Sequence, residues 1–122
     1  MSVLYENELI KVEIEESEIP WLKIFTQKAY KEFSETPANV KLEIFKALDI
    51  IEKEMLYSYK PKKINIASFG NYVPHVHWHV MARFEEDSYF PEPMWGKKQR
   101  EGTYVLENFN EFTKSIALKL SK

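Results

Sequence analysis

All three histidines of this 122-residue chain fall in one short run, His75–Met81, which reads HVHWHVM. In an extended strand successive side chains alternate between faces, so the imidazoles would form one row with apolar side chains opposite. A helix would spread the same residues over roughly 200°, at about 100° per residue. The spacing therefore predicts a strand. Because each half-buried imidazole needs a hydrogen-bond partner or a ligand, such a row also predicts a functional site.

Other stretches of the chain show the same two-residue period. Apolar and branched residues alternate with polar ones, which is typical of half-buried strands. Leu9–Glu15 is predicted to be a strand in this way, and so is Lys63–Ser68, with Ile64 and Ile66 on one face. Val3–Tyr5 is predicted as a short first strand, and Trp21–Thr26 as a strand because it is rich in aromatic and branched residues. Residues 28–34 are predicted to form a turn of helix.

Two helices are predicted from the remaining sequence. The first is predicted to begin with Thr36 as N-cap and Pro37 at the first helical position, and to end near Lys60. The last is predicted to begin at Asn108, with Glu111 as its capping-box partner. The apolar stripe of the first helix, at helical spacing, consists of Val40, Ile44, Ala47, Leu48, Ile51 and Met55. Strands joined by short turns, with helices to cover them, predict an α+β fold and a single domain over residues 1–122.

Composition excludes several classes of function. Apolar residues make up 44% of the chain, enough for a core, and the net charge of -2 gives no reason to expect a nucleic-acid partner. There is no cysteine, so disulfides and thiolate zinc sites are excluded. No apolar run approaches the ~18 residues needed to span a bilayer, and the acidic N-terminal stretch does not read as a signal peptide. We therefore expect no membrane partner and a cytoplasmic location.

The run His75–Met81 resembles the signature of the histidine triad (HIT) family. In that signature single apolar residues separate three histidines, and two further apolar residues follow the last histidine. The pair at residues 70–71, Gly-Asn, resembles the glycine-glutamine pair that precedes that motif, and Asn65 lies near the family's phosphate-contacting asparagine. Residues 63–96 as a whole are similar to a bacterial subgroup described as diadenosine tetraphosphate hydrolase-like. The resemblance implies a five-stranded antiparallel sheet with one long helix and a C-terminal helix. It also implies a homodimer that pairs through a continuous sheet.

The resemblance further implies nucleotidyl transfer or hydrolysis at a phosphate ester, anhydride or phosphoramidate, with His77 as nucleophile. Imidazole suits this role, since its reference pKa of ~6.5 leaves a free lone pair near neutrality. Attack on phosphorus would give a nucleotidyl-histidine, which water then hydrolyses. His79 and Asn71 are candidate donors to the phosphoryl oxygens, with Asn65 close by. His75 is a candidate to orient its neighbour or to protonate the leaving oxygen.

Substrate choice stays open at this point. Glu13 or Glu15 is a candidate ribose contact, although a solvated edge carboxylate is the plainer interpretation of either. Tyr72 stands where many members of the family carry a small hydroxyl residue, and Asn71 is one carbon shorter than glutamine. A dinucleoside polyphosphate is the preferred substrate and an adenosine phosphoramidate comes second. No cofactor and no metal ligand set is expected, although magnesium can accompany the polyphosphate.

Competing interpretations remain for the same residues. The histidine row could bind a metal through imidazoles alone, or be merely structural. The chain could also be a nucleotide-binding regulatory protein with little turnover. Trp95 and Phe90 could pack in the core, at a dimer contact or near a base. Residues 97–103 are predicted to be a mobile, solvated basic loop.

Overall fold

The computed structural model describes residues 2–122 and contains five strands, a short 3-10 turn and two helices. The elements are β1 (Ser2–Glu6), β2 (Ile10–Ile14), β3 (Trp21–Thr26), the 3-10 turn (Phe33–Glu35), α1 (Ala38–Tyr59), β4 (Lys63–Ala67), β5 (His77–Arg83) and α2 (Phe109–Leu120). The predicted α+β fold, with a five-stranded antiparallel sheet, one long helix and a C-terminal helix, is confirmed.

The strands lie side by side in the order β1-β2-β3-β5-β4, and every neighbouring pair is antiparallel. The histidine strand β5 therefore lies between β3 and β4. Its register places His77 opposite Phe25 and His79 opposite Lys23. Because directly opposed residues share a face, the histidines lie on the same side of the sheet as these β3 side chains.

The two helices cover the other side of the sheet and enclose the core. Five of the six residues of the predicted α1 stripe are buried, and Leu48 is half-buried against them. They meet alternate residues of the strands, such as Val12, Leu22 and Val80, which are fully buried. Each buried side chain of this size stabilises the fold by ~1.5–3 kcal/mol relative to exposure. No helix within residues 2–122 has the length and apolar character needed to cross a membrane.

The predicted helix caps are wrong in detail. Pro37, rather than Thr36, is the N-cap of α1, and the Thr36 hydroxyl instead donates to the Glu32 carbonyl at 3.4 Å. Asn108 is the N-cap of α2, but its backbone is left-handed (φ 56°) and its side chain makes no capping hydrogen bond. A capping side chain needs an extended backbone to reach the first N–H groups, so no capping box with Glu111 forms.

Two loop predictions are also corrected. Only Phe33–Glu35 of the region around residues 28–34 is helical, as a 3-10 turn. The segment 97–103 is exposed, as predicted for a solvated loop, but the N–H groups of Gln99 and Arg100 donate to the Ser88 carbonyl at 2.8 and 3.2 Å. These bonds hold it against the chain that follows β5.

Candidate active site

His77 is the first residue of β5 and is almost fully buried, at 9% exposure. Its Nδ1 lies 2.7 Å from the His75 carbonyl oxygen. A carbonyl only accepts, so Nδ1 carries the hydrogen and the lone pair of a neutral ring is on Nε2. The Phe25 ring stacks on the imidazole at 4.7 Å between centroids, with 17° between planes. This ring is therefore held in one orientation with a free nitrogen.

His79 lies two residues further along the same face, with its ring centroid 5.0 Å from that of His77. It is buried, and the Trp21 indole N–H donates to its Nδ1 at 3.0 Å. Burial, together with the nearby His77 and Lys23, lowers the pKa of His79 to about 4. Near neutrality this ring is therefore uncharged.

His75 departs from the predicted row, because it precedes the strand instead of belonging to it. The Val76 N–H donates to the Tyr30 carbonyl at 2.8 Å, so the chain enters β5 from a loop contact. The His75 Nε2 lies 2.7 Å from the Thr26 carbonyl oxygen and 2.9 Å from the Thr26 hydroxyl. Its ring is thus tied to β3, and its carbonyl, rather than its ring, orients His77.

A cavity of about 300 Å³ opens beside the two strand histidines. No Lys or Arg lines it among residues 2–122, and its walls are mainly aromatic and aliphatic. Tyr72 is fully exposed, and Trp95 is 47% exposed. The lining residues are Phe69, Gly70, Asn71, Tyr72, Val73, His77, His79 and Trp95. The structure thus brings His77, the predicted nucleophile, together with His79 and Asn71, the predicted donors to the phosphoryl oxygens.

Asn65 shares the histidine face but does not line this cavity. It lies opposite Met81 and lines a neighbouring cavity, separated from the histidines by Trp95 and Phe69, which border both. Its Oδ1 accepts a hydrogen bond from Arg83 Nη1 at 2.9 Å. The sequence could not show this, because the arginine belongs to a different strand.

The two acidic candidates on β2 and just after it are ion-paired. Glu13 is only 3% exposed and pairs with Lys11 at 3.1 Å, so its interpretation as a solvated carboxylate is wrong. Its Oε1 is buried without a hydrogen-bond partner among residues 2–122. Glu15 pairs with Lys23 at 2.8 Å, and Lys23 is the β3 residue opposite His79. Both carboxylates therefore lie on the β2 side of the histidines, away from the aromatic cavity.

Three aromatic residues that contact the histidines were not singled out for this role from the sequence. Trp21 and Phe25 alternate along β3, and Trp95 packs edge-on against His79 at 4.8 Å. The alternation places the first two on one face, but only the pairing of β3 with β5 places that face beside the histidines. Phe90, in contrast, packs under the Arg83 guanidinium at 5.7 Å.

Metal binding by imidazoles gains no support from this geometry. Within residues 2–122, no group of three or more histidine, aspartate or glutamate side chains is arranged to hold a metal ion. His75 and His79 each use a ring nitrogen in a hydrogen bond to β3, and His77 uses one toward a carbonyl.

Comparison with known proteins agrees with the fold. The HIT domain family matches residues 2–86, and the chain therefore belongs to the HIT domain family. Membership suggests a protein that binds nucleotides or acts on them as a hydrolase or transferase. A search of curated proteins finds no match for this chain.

Solved structures similar to this chain share its fold. A histidine triad protein from Bradyrhizobium japonicum is 23% identical, with a TM-score of 0.79 over 98% of this chain and 90% of that one. A histidine triad (HIT) protein from Sinorhizobium meliloti is 29% identical, with a TM-score of 0.72 over 93% of this chain and 85% of that one. A Zn-bound histidine triad family protein from Mycobacterium smegmatis is 14% identical, with a TM-score of 0.61 over 99% and 86% of the two chains.

Proposed function

We propose that this protein hydrolyses or transfers nucleotidyl groups through a nucleotidyl-histidine on His77. The observation that carries the proposal is the hydrogen bond from His77 Nδ1 to the His75 carbonyl at 2.7 Å. It leaves Nε2 with the lone pair that attack on phosphorus requires, on a ring already fixed by Phe25. The Nε2–phosphorus bond would form as the bond from phosphorus to the leaving group breaks. Water would then cleave the Nε2–phosphorus bond and release the mononucleotide.

The charge that develops on the phosphoryl oxygens needs donors already in place. His79 and Asn71 line the same cavity as the nucleophile and are proposed for this role. No backbone carbonyl within residues 2–122 accepts a hydrogen bond from the N–H groups of residues 70–73, so these donors are available to an anion. Asn65 is a less direct candidate because it already accepts from Arg83. His75, whose ring is held by Thr26, is proposed to orient the nucleophile through its carbonyl.

A dinucleoside polyphosphate is the proposed substrate, as in the diadenosine tetraphosphate hydrolase-like subgroup, and an adenosine phosphoramidate is the second choice. Support comes from the aromatic cavity, where Phe69 (56% exposed), Tyr72 and Trp95 offer flat surfaces to a base. On the β2 side of the histidines, Glu13 and Glu15 are proposed as acceptors for ribose hydroxyls. No resident cofactor is proposed, and magnesium would arrive with the polyphosphate.

The test is incubation with diadenosine tetraphosphate, followed by acid-free quenching and mass spectrometry of the intact protein. We expect a nucleotide adduct on His77 and steady release of mononucleotide. The matched variant is His77→Asn, which keeps a donor for the His75 carbonyl but has no nucleophilic nitrogen. It should lose the adduct and at least ~10³-fold of the turnover while still folding. Binding by the wild type without product above background would instead favour a regulatory nucleotide-binding protein.

We also propose a homodimer in which one HIT-like domain, residues 1–122, pairs with a second copy through β4. This strand is an edge of the sheet, and Ile66 on it is 43% exposed. Phe45 on α1 is 47% exposed as well. Sedimentation should show a dimer that Ile66→Lys converts to a monomer, whereas Leu118→Lys on the exposed side of α2 should not. A wild-type monomer would overturn the dimer. A cytoplasmic location stays a prediction.

A further inference from the structure

The hydrogen bond between Trp21 and His79 determines the tautomer of His79 as well as the position of its ring. The Trp21 indole N–H lies 3.0 Å from His79 Nδ1. An indole nitrogen only donates, so Nδ1 must accept, and the hydrogen of a neutral imidazole must be on Nε2. Trp21 does not line the cavity that holds His79. It contacts two residues that do, His79 and Trp95, and its indole N–H donates to His79.

The surroundings of His79 disfavour protonation of its neutral imidazole ring. Its ring is buried and packs edge-on against Trp95 at 4.8 Å and Trp21 at 5.7 Å. Protonation would have to displace the indole N–H from Nδ1, which would leave two donors facing each other. Burial is the largest of the causes that together lower the pKa of His79 to about 4.

Those facing groups are His77 on the same strand, Lys23 on β3 and Glu15 after β2. His77 and Lys23 lower the pKa of His79, and only Glu15 raises it. Glu15 and Lys23 pair with each other at 2.8 Å and act in opposite directions, so burial remains the main cause of the lowered pKa.

We propose that Trp21 is a positioning residue that locks His79 in its Nε2–H tautomer, as a fixed neutral donor rather than a general acid. The role rests on the proposed function, in which His79 faces the phosphoryl oxygens. His79 then offers one hydrogen bond that strengthens as charge develops on those oxygens. It retains its proton throughout, so the proton for a basic leaving group does not come from this residue.

The test is nitrogen-15 NMR of labelled histidines in the ligand-free protein, from pH 7 down to pH 4.5. The wild type should show His79 in the Nε2–H tautomer with no titration near 6.5. Trp21→Phe removes the donor and keeps an aromatic ring. The variant should therefore show both tautomers of His79 and a titration of His79 between pH 4.5 and 7. Trp95→Phe is the matched control, because Trp95 packs on His79 without a hydrogen bond, and it should preserve the wild-type tautomer.

Kinetics separates this role from simple packing. Trp21→Phe should lower kcat roughly fivefold, the size of one hydrogen bond, with little change in KM, and its pH profile should gain an ionisation below pH 6.5. Wild-type His79 as the Nδ1–H tautomer, or titrating near 6.5, would overturn the proposal, as would identical spectra for the wild type and Trp21→Phe. The wild-type spectrum decides the tautomer even if the variant does not fold. Because the spectra need no substrate, they are also independent of the proposed hydrolase activity.

Discussion

The buried ion pair between Arg83 and Asp87 offers the sharpest test of how this fold is held together. The two residues are 1% and 0% exposed. The carboxylate accepts from Arg83 Nε at 2.9 Å and from Nη2 at 3.0 Å. It also accepts from three backbone N–H groups, at 2.8 to 3.0 Å. The bond from Arg83 to Asn65 is the only other polar contact of that guanidinium within residues 2–122.

Asp87→Asn keeps the shape of the side chain and removes its charge. The amide oxygen keeps some of these hydrogen bonds, but the amide NH₂ group faces one Arg83 donor and at least one backbone N–H. The arginine charge is left buried with neutral acceptors alone, so we expect the free energy of unfolding to fall by ~3–5 kcal/mol. The segment that begins at Asp87 leads to Trp95, which packs on His79. The loss should therefore reach the site as well as the fold.

The assay is urea unfolding followed by circular dichroism and tryptophan fluorescence. A second variant, Arg83→Met with Asp87→Asn, removes both charges and should be more stable than Asp87→Asn alone. The control is Asp49→Asn, since the Asp49–Lys53 pair is exposed (61% and 74%) and should change stability by less than ~0.5 kcal/mol. A loss below ~1 kcal/mol for Asp87→Asn, or a double variant less stable than the single one, would refute the reasoning.

The same pair predicts a pH dependence. Burial raises the pKa of Asp87, but hydrogen bonds from Arg83 and from backbone N–H groups outweigh it, so the pKa lies below its ordinary value of 3.8. A lowered carboxyl pKa contributes stability above the unfolded-state value, which is lost as the pH falls through the folded-state pKa. Acid unfolding of the wild type should therefore be steeper below pH 3.8 than that of Asp87→Asn.

Three further predictions follow from other contacts. Phe25→Ala removes the ring stacked on His77 and should lower kcat roughly 2- to 13-fold, the worth of an aromatic pair, in a steady-state assay. Glu54→Gln removes the charge of the buried carboxylate that joins α1 to α2 through Lys119. The free energy of unfolding in urea at pH 7 should fall by ~1–3 kcal/mol. Gly102→Ala should cost ~1–3 kcal/mol in thermal unfolding, because its Cβ would lie 2.6 Å from the Ser88 hydroxyl oxygen; an unchanged Tm would contradict this.

Much of the fold could be predicted from the sequence, because local periodicity reports which side chains are buried together. The aromatic and branched residues of Trp21–Thr26 predict β3 with its observed bounds, and the helical stripe predicts α1 to within two residues of its start. The cap predictions failed because capping depends on backbone angles that residue type only biases. Asn108 shows this, since its left-handed backbone takes the side chain away from the helix N–H groups.

The same distinction holds at the site. The spacing of His77 and His79 by itself determined that they share a face, since alternation along a strand is a property of the backbone. Only the tertiary structure decided which nitrogen of each ring is free. The Trp21 indole meets His79 through the pairing of β3 with β5, and the His75 carbonyl meets His77 where the chain before β5 is held by Tyr30. The tertiary structure also decided that Asn65 serves the buried Arg83, since hydrogen-bond partners are chosen by strand pairing in space and not by position along the chain.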